Sequence, residues 1–217
     1  VYIKLETEVV SSILAQRDAL YLCLDAQNCN SPLLSRQPTD VVDALALLVE
    51  FAHAQSPLRR SQGLTNAISI VLLGTYGTDT ILRASYNGNR AHPLRELSSG
   101  IHSDFHQATG QPFHFWAYLN TEAQGSIYSF TGDFVHECLG DFQGTGTVED
   151  ARLTTLAYRI GGEVRRGNLS PLALAGQIRS GLRTAFTGCL APWYYSLPCK
   201  ALRETDKAQR GQYALNC

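Results

Sequence analysis

The segment "FTGDFVHECLGDF", residues 130–142, sets Asp133, Glu137 and Asp141 four residues apart, with His136 beside the middle one. Residues four apart are neighbours on a helix surface, and like charges at that spacing cost roughly a few tenths of a kcal/mol. A segment that also carries Phe130, Phe134, Val135 and Cys138 bears that cost for one of two reasons. Either the stripe is simply solvated, or chemistry uses a carboxylate there. With Phe130, Phe134 and Cys138 turned inward, Glu137 lies at the rim between apolar packing and water. Desolvation at such a rim raises a carboxyl pKa, as a general acid requires. Two carboxyls flanking a scissile bond are the equipment of glycoside hydrolases.

Asp133 and Asp141 project from the same stripe as Glu137, so they are poor partners across a bond. The second carboxylate is expected from another element, and Glu122 is the choice. It ends the run "HFWAYLNTEAQGS", just before a Gly turn leading into the stripe. His114 lies among Phe113, Phe115, Trp116 and Tyr118, two helical turns before Glu122, and is expected to orient one of the two acids. Glu137, Glu122 and His114 are therefore the expected catalytic set, with no cofactor and no metal.

Two other groupings offer different chemistry. In "IHSDFH", His102 and His106 stand one helical turn apart, a spacing that lets two imidazoles share a metal, with Asp104 between them. Ser103 occupies the place of the Glu that follows the first His in helical zinc proteases, so that route is not indicated. Trp193, Tyr194 and Tyr195 sit in the Pro-flanked stretch "CLAPWYYSLPC", where stiff aromatics suit sugar rings or a partner protein. Consecutive aromatics cannot all face one way, so at least one of them is structural. The chain has no Gly-x-Ser-x-Gly elbow, phosphate loop or dinucleotide fingerprint.

The elements that must position these residues read as helices. "KLETEVVSSILAQRDALYLCL" is amphipathic through Val10, Ile13, Leu14, Arg17 and Tyr21. "PTDVVDALALLVEFAHA" starts from a Thr39 or Asp40 cap, and "SQGLTNAISIVLLG" and "TDTILRASYNG" supply two more helices. "HPLRELSSGIHSDFHQATG" shows a seam of Leu94, Leu97, Ile101, Phe105 and Ala108, which predicts a helix from Pro93 to Gly110. Pro112 opens the next helix and Gly125 closes it, and the carboxylate stripe predicts another over 126–139. Thr147 with Asp150 forms a variant capping box, and Ser170 with Pro171 starts a further helix. No run of alternating β-branched residues competes. The expectation is an all-α bundle of eight or nine helices with short Gly-rich turns. It forms one domain over 1–217, with a helical body to 188. An aromatic loop and a polar tail, the latter a solvated helix or loose, follow from 189.

Composition narrows the function classes. The chain is 44% hydrophobic and 17% charged, with a formal net charge of −1. Arg pairs in "SPLRRS" and "GGEVRRGN" are the densest basic features, so nucleic acid is not an expected partner. No apolar run approaches a membrane span. Six cysteines and a start at Val1 with no Met anywhere suggest a secreted, extracellular protein with disulfides. The expected pairs are Cys23–Cys29, Cys189–Cys199 and Cys138–Cys217. Asn168 stands in an acceptor sequon that the following Pro171 weakens.

Together these features lead to a secreted, monomeric hydrolase using carboxylate acid/base chemistry, a glycosidase of lysozyme-like activity on a cell-wall polysaccharide. A metal-dependent hydrolase built on His102 and His106 is the first alternative. A non-enzymatic binding or effector module working through the Trp193 loop is the second.

Overall fold

A computed structural model describes residues 2–55, 61–73, 94, 97–105, 110–125, 147–195 and 199–211. The protein is all-α: the described residues contain seven α-helices, two 3-10 turns and no strand. In chain order the helices are α1 (Tyr2–Ala26), α2 (Val41–Gln55), α3 (Ser61–Leu73), α4 (Gln111–Ala123), α5 (Val148–Arg165), α6 (Pro171–Arg183) and α7 (Lys200–Arg210). The 3-10 turns are Ser103–Phe105 and Pro192–Tyr195.

The helix starts follow from their caps. Asp40 Oδ1 accepts from the backbone N–H of Asp43 at 2.8 Å, which settles the α2 cap on Asp40. Thr147 Oγ1 accepts from the N–H of Asp150 and donates to its carboxylate, closing the expected box at α5. Ser170 Oγ accepts from Ala173 N–H, with Pro171 following in the first turn of α6. Capping supplies a direction for each chain segment; burial then supplies the energy.

The most deeply buried helix is α2, in which Val41 to Val49 are all buried. Apart from Asp43 these residues are apolar on every side, as suits a helix at the centre of a bundle. It packs against α6, while α1 covers both α2 and α3, and α3 leads on to α4. Arg17 of α1 donates to the Val71 carbonyl of α3, and the Trp116 indole of α4 donates to the Thr65 carbonyl of α3. One buried cluster runs from Ile13 to Leu202. No described helix is long and apolar enough to cross a membrane.

The most extensive packing joins α4 to α5. His114 meets Asp150 near their starts and Glu122 lies beside Gly161 near their ends, so the two helices run parallel. Gly161 is what permits the approach. A Cβ there would stand 2.5 Å from the Leu119 carbonyl oxygen and 3.0 Å from the Glu122 Cβ. Helix propensity alone favours Ala over Gly by roughly 1 kcal/mol. A clash with backbone reverses that sign, since α4 and α5 would have to separate. Gly161→Ala is expected to destabilise by about 1–3 kcal/mol. Gly176→Ala, whose Cβ would meet nothing within 4 Å, is expected to stabilise slightly. Thermal melts of the two variants check this contrast.

Three expectations need correction or completion. The helix expected over 93–110 does not form across 97–105. Gly100 there adopts φ +81°, and Ser99 spends its carbonyl and hydroxyl on the Val41 N–H at the start of α2. His102 N–H donates to the Leu182 carbonyl at the end of α6. Its apolar seam is nevertheless used, since Leu94 and Phe105 are buried. The helices expected over 78–88 and 126–139 lie outside the described residues. The polar tail is a helix docked on α5, as Arg152 and Asp206, both almost fully buried, pair at 2.8 Å. Its anchor is ionic, with Leu202 buried beside it.

Cys23 and Cys29 are bonded, as expected from their spacing. Cys189 and Cys199 are also oxidised. The expected Cys138–Cys217 pair lies outside the described residues.

Candidate functional site

At the end of the α4–α5 pair lies a cleft of about 380 Å³. That is within the range of roughly 300–1,000 Å³ typical of small-molecule sites. Its walls come from Glu122 of α4, from Thr155, Tyr158, Arg159 and Gly162 of α5, from Arg166 just past α5, and from Cys189–Pro192. Residues 155, 158, 159, 162 and 166 recur at three- and four-residue steps, so they form one stripe of the helix.

Glu122 carries two opposed influences. Its side chain is 15% exposed, and burial, the larger influence, pushes its pKa above the ordinary glutamate value. Arg165, whose guanidinium stands 2.8 Å from Oε1, pulls the other way, as does Arg166. The carboxyl also sits in the last turn of α4, where the negative end of the helix dipole disfavours a second negative charge. Gly125 makes the arrangement possible. It takes φ +70°, which a glycine adopts without steric cost, and a Cβ there would stand 3.2 Å from Arg165 Cδ.

The opposite wall is held by arginines. Arg159 donates to the carbonyls of Thr187 and Cys189, and Arg210 of α7 donates to that of Gly188. Both guanidiniums lie over the Phe186 ring, at 5.0 and 4.3 Å from its centre. Three successive carbonyls are thereby fixed. Thr155 adds a fourth anchor, its hydroxyl donating to Ala151 and accepting from Ala191 N–H. Among the described residues Arg159 has no carboxylate partner, and burial together with the charge of Arg210 lowers its pKa.

Behind the cleft the aromatic residues form a row. Tyr158 contacts Tyr118 and Trp193, at centroid distances of 6.1 and 6.3 Å, with the Trp193 ring nearly perpendicular to its own. Trp193 in turn packs on Tyr194, which is completely buried. The Trp193 loop is thus folded down onto α5, with Trp193 and Tyr195 only half-buried. It is a backing for Tyr158 and not a free-standing platform.

The structure separates His114 from Glu122. Eight residues apart on one helix, they lie about 12 Å apart along its axis. His114 Nδ1 faces Asp150 at 3.8 Å, at the other end of the pair, and its ring touches Phe113 and Tyr118. Asp150 is held ionised by His114, Gln111 and Thr147 against the upward push of burial. His114 therefore does not orient Glu122. Glu137, with Asp133 and Asp141, lies outside the described residues.

His102 does not sit on a helix with the expected metal-sharing spacing, because residues 103–105 form a single 3-10 turn. Its Nδ1 accepts from Asp104 N–H at 3.1 Å, which occupies one of the two nitrogens a metal would use. Asp104 itself accepts from Phe186 N–H. His106 is outside the described residues. Among the described residues no three His, Cys, Asp or Glu side chains converge as a metal would need.

The stripe of Tyr158, Arg159, Gly162 and Arg166 was not singled out from the sequence. A signal exists in "YRIGGEVRRG": small and cationic residues occupy the α5 face next to its apolar one. No family model, no curated protein and no solved structure matches the chain.

Proposed function

We propose that this cleft is the active site of a secreted glycoside hydrolase in which Glu122 is the proton donor. The observation that carries the reading is Glu122 itself: a largely buried carboxyl with a raised pKa, opening into a cleft walled by a tyrosine ring. A carboxyl that holds its proton more tightly than an ordinary glutamate can hand it to a glycosidic oxygen as the bond breaks. Tyr158 offers the apolar ring face against which a sugar packs. Arg165 stabilises the carboxylate left after proton transfer and holds it in place for the return of the proton.

Hydrolysis by this route needs a second carboxylate to activate water or attack the sugar. Among the described residues Glu122 is the only acid in the wall. Glu137 is proposed for that role; in the sequence it lies between Gly125, just past α4, and Thr147, the cap of α5. The substrate in this reading is a cell-wall polysaccharide.

The test is release of new reducing ends from a panel of purified polysaccharides, peptidoglycan included, with and without chelator. Release that survives chelation is the expected result. Release abolished by chelation would move the chemistry to a metal, and no release from any polymer would end the hydrolase reading.

A further inference from the structure

Resting on that reading, we infer that the sugar chain bound in the cleft is acidic, and that Arg159 and Arg166 receive a carboxylate carried by the unit next to Glu122. Two of the wall residues are cations and one is an acid. Arg165 adds a positive charge at Glu122, and Glu163 adds one negative charge at Arg166; with the carboxylate proposed for Glu137 counted in, these groups balance while Glu122 is ionised and carry a surplus of one positive charge once it is protonated.

Glu163 is itself shared, since its second oxygen accepts from the Asn168 amide at 2.7 Å. Its pair with Arg166 is exposed on both sides, the kind of contact that exchanges readily with a competing anion. Arg159 differs. It is fixed by backbone carbonyls and lies beside another cation, Arg210, whose own acid partner Asp206 is already shared with Arg152. When Glu122 holds its proton, as the reaction requires, both wall arginines face a neutral acid. A neutral sugar would leave that charge uncompensated in a partly desolvated cleft, whereas a carboxylate is drawn by the charge of Arg159 and, being planar, fits the fork of Arg166 in place of Glu163.

The test uses full-length protein carrying Glu122→Gln, so that binding is read without turnover. Oligogalacturonate and hyaluronan oligosaccharides are titrated calorimetrically, each against its methyl ester. A sulfated galactan oligosaccharide serves as a third probe. The charged oligosaccharide is expected to bind at least about tenfold more tightly than its ester, with a preference that shrinks as salt rises. Adding Arg166→Gln, a change at an exposed side chain, is expected to erase most of that preference, and Arg166→Lys to restore part of it. Equal binding of acid and ester, no binding of any probe, or tighter binding of the sulfated probe than of both carboxylates overturns the inference. The two proposals fail separately. Turnover without charge preference sinks only this inference, and Arg166-dependent binding without turnover by the wild type sinks only the hydrolase.

Discussion

Glu122→Gln is expected to lower polysaccharide turnover by about 10²- to 10⁴-fold, the usual worth of a general acid. The amide keeps the size of the side chain and can still contact Arg165, but it has no proton to give. Because the lost interaction acts in the transition state, kcat and kcat/KM should fall together while KM changes little. The fold should survive. Arg165, the partner left behind, is 47% exposed, so water replaces the lost pair at a cost within about 1 kcal/mol. The pH profile gives a second readout. Wild-type activity depends on protonated Glu122, so it falls as pH rises through the raised pKa. The residual activity of the Gln variant should lack that limb. Steady-state kinetics with a chromogenic or reducing-end assay checks both points.

Asp43→Asn is expected to cost about 2–3 kcal/mol of stability, because it removes the charge from a buried carboxylate on which two partly exposed arginines converge. Asp43 sits on α2 with a side chain only 3% exposed. Its carboxylate accepts from Arg36, from Arg179 Nε at 2.9 Å and from the N–H of Thr39 at 3.2 Å. Arg179 also reaches Glu50, tying α6 to α2 at a second point. Burial is the largest single influence on Asp43 and pushes its pKa up. The hydrogen bonds from Arg36, Arg179 and Thr39 outweigh it and hold the carboxyl well below the usual carboxylate range.

A depressed folded-state pKa contributes stability above the unfolded value, near about 3.9. That contribution is lost as pH falls below it. The gap between wild type and Asp43→Asn should therefore be widest near neutral pH and narrow in acid. Urea midpoints measured across a pH series test it, and equal midpoints at pH 7 would contradict the cluster's role.

Much of the helical body was legible because local chemistry marks it. Asp40, Thr147, Ser170 and Pro112 each open a helix where the sequence placed a start, and Cys23 and Cys29 are close enough in sequence to suggest their bond. The misreading of 97–105 has a physical reason. An apolar residue every three or four positions looks the same whether a helix or an irregular segment delivers it to the core. Gly100 and the capping demands of α2 decided otherwise.

The docking of α7 was hidden for the opposite reason, since a buried Arg152–Asp206 pair leaves little hydrophobic stripe to read. The candidate site was half legible. Glu122 at a helix end beside a Gly turn could be picked out. Its partner Arg165 and the neighbouring wall residues Arg159 and Arg166 depend on α4 and α5 running parallel with Gly161 at their contact. That same direction carries His114 to the far end, at Asp150. Helix direction is a property of the connections and of tertiary packing, which residue spacing does not encode.

The account turns on whether burial or Arg165 governs Glu122, and a carbon-13 NMR titration of its side-chain carboxyl decides this most directly. The resonance is assigned by its loss in Glu122→Gln. The account predicts a midpoint above the ordinary glutamate value. A midpoint at or below that value would mean that the ion pair prevails, and Glu122 would then be a structural partner of Arg165 with no proton to donate.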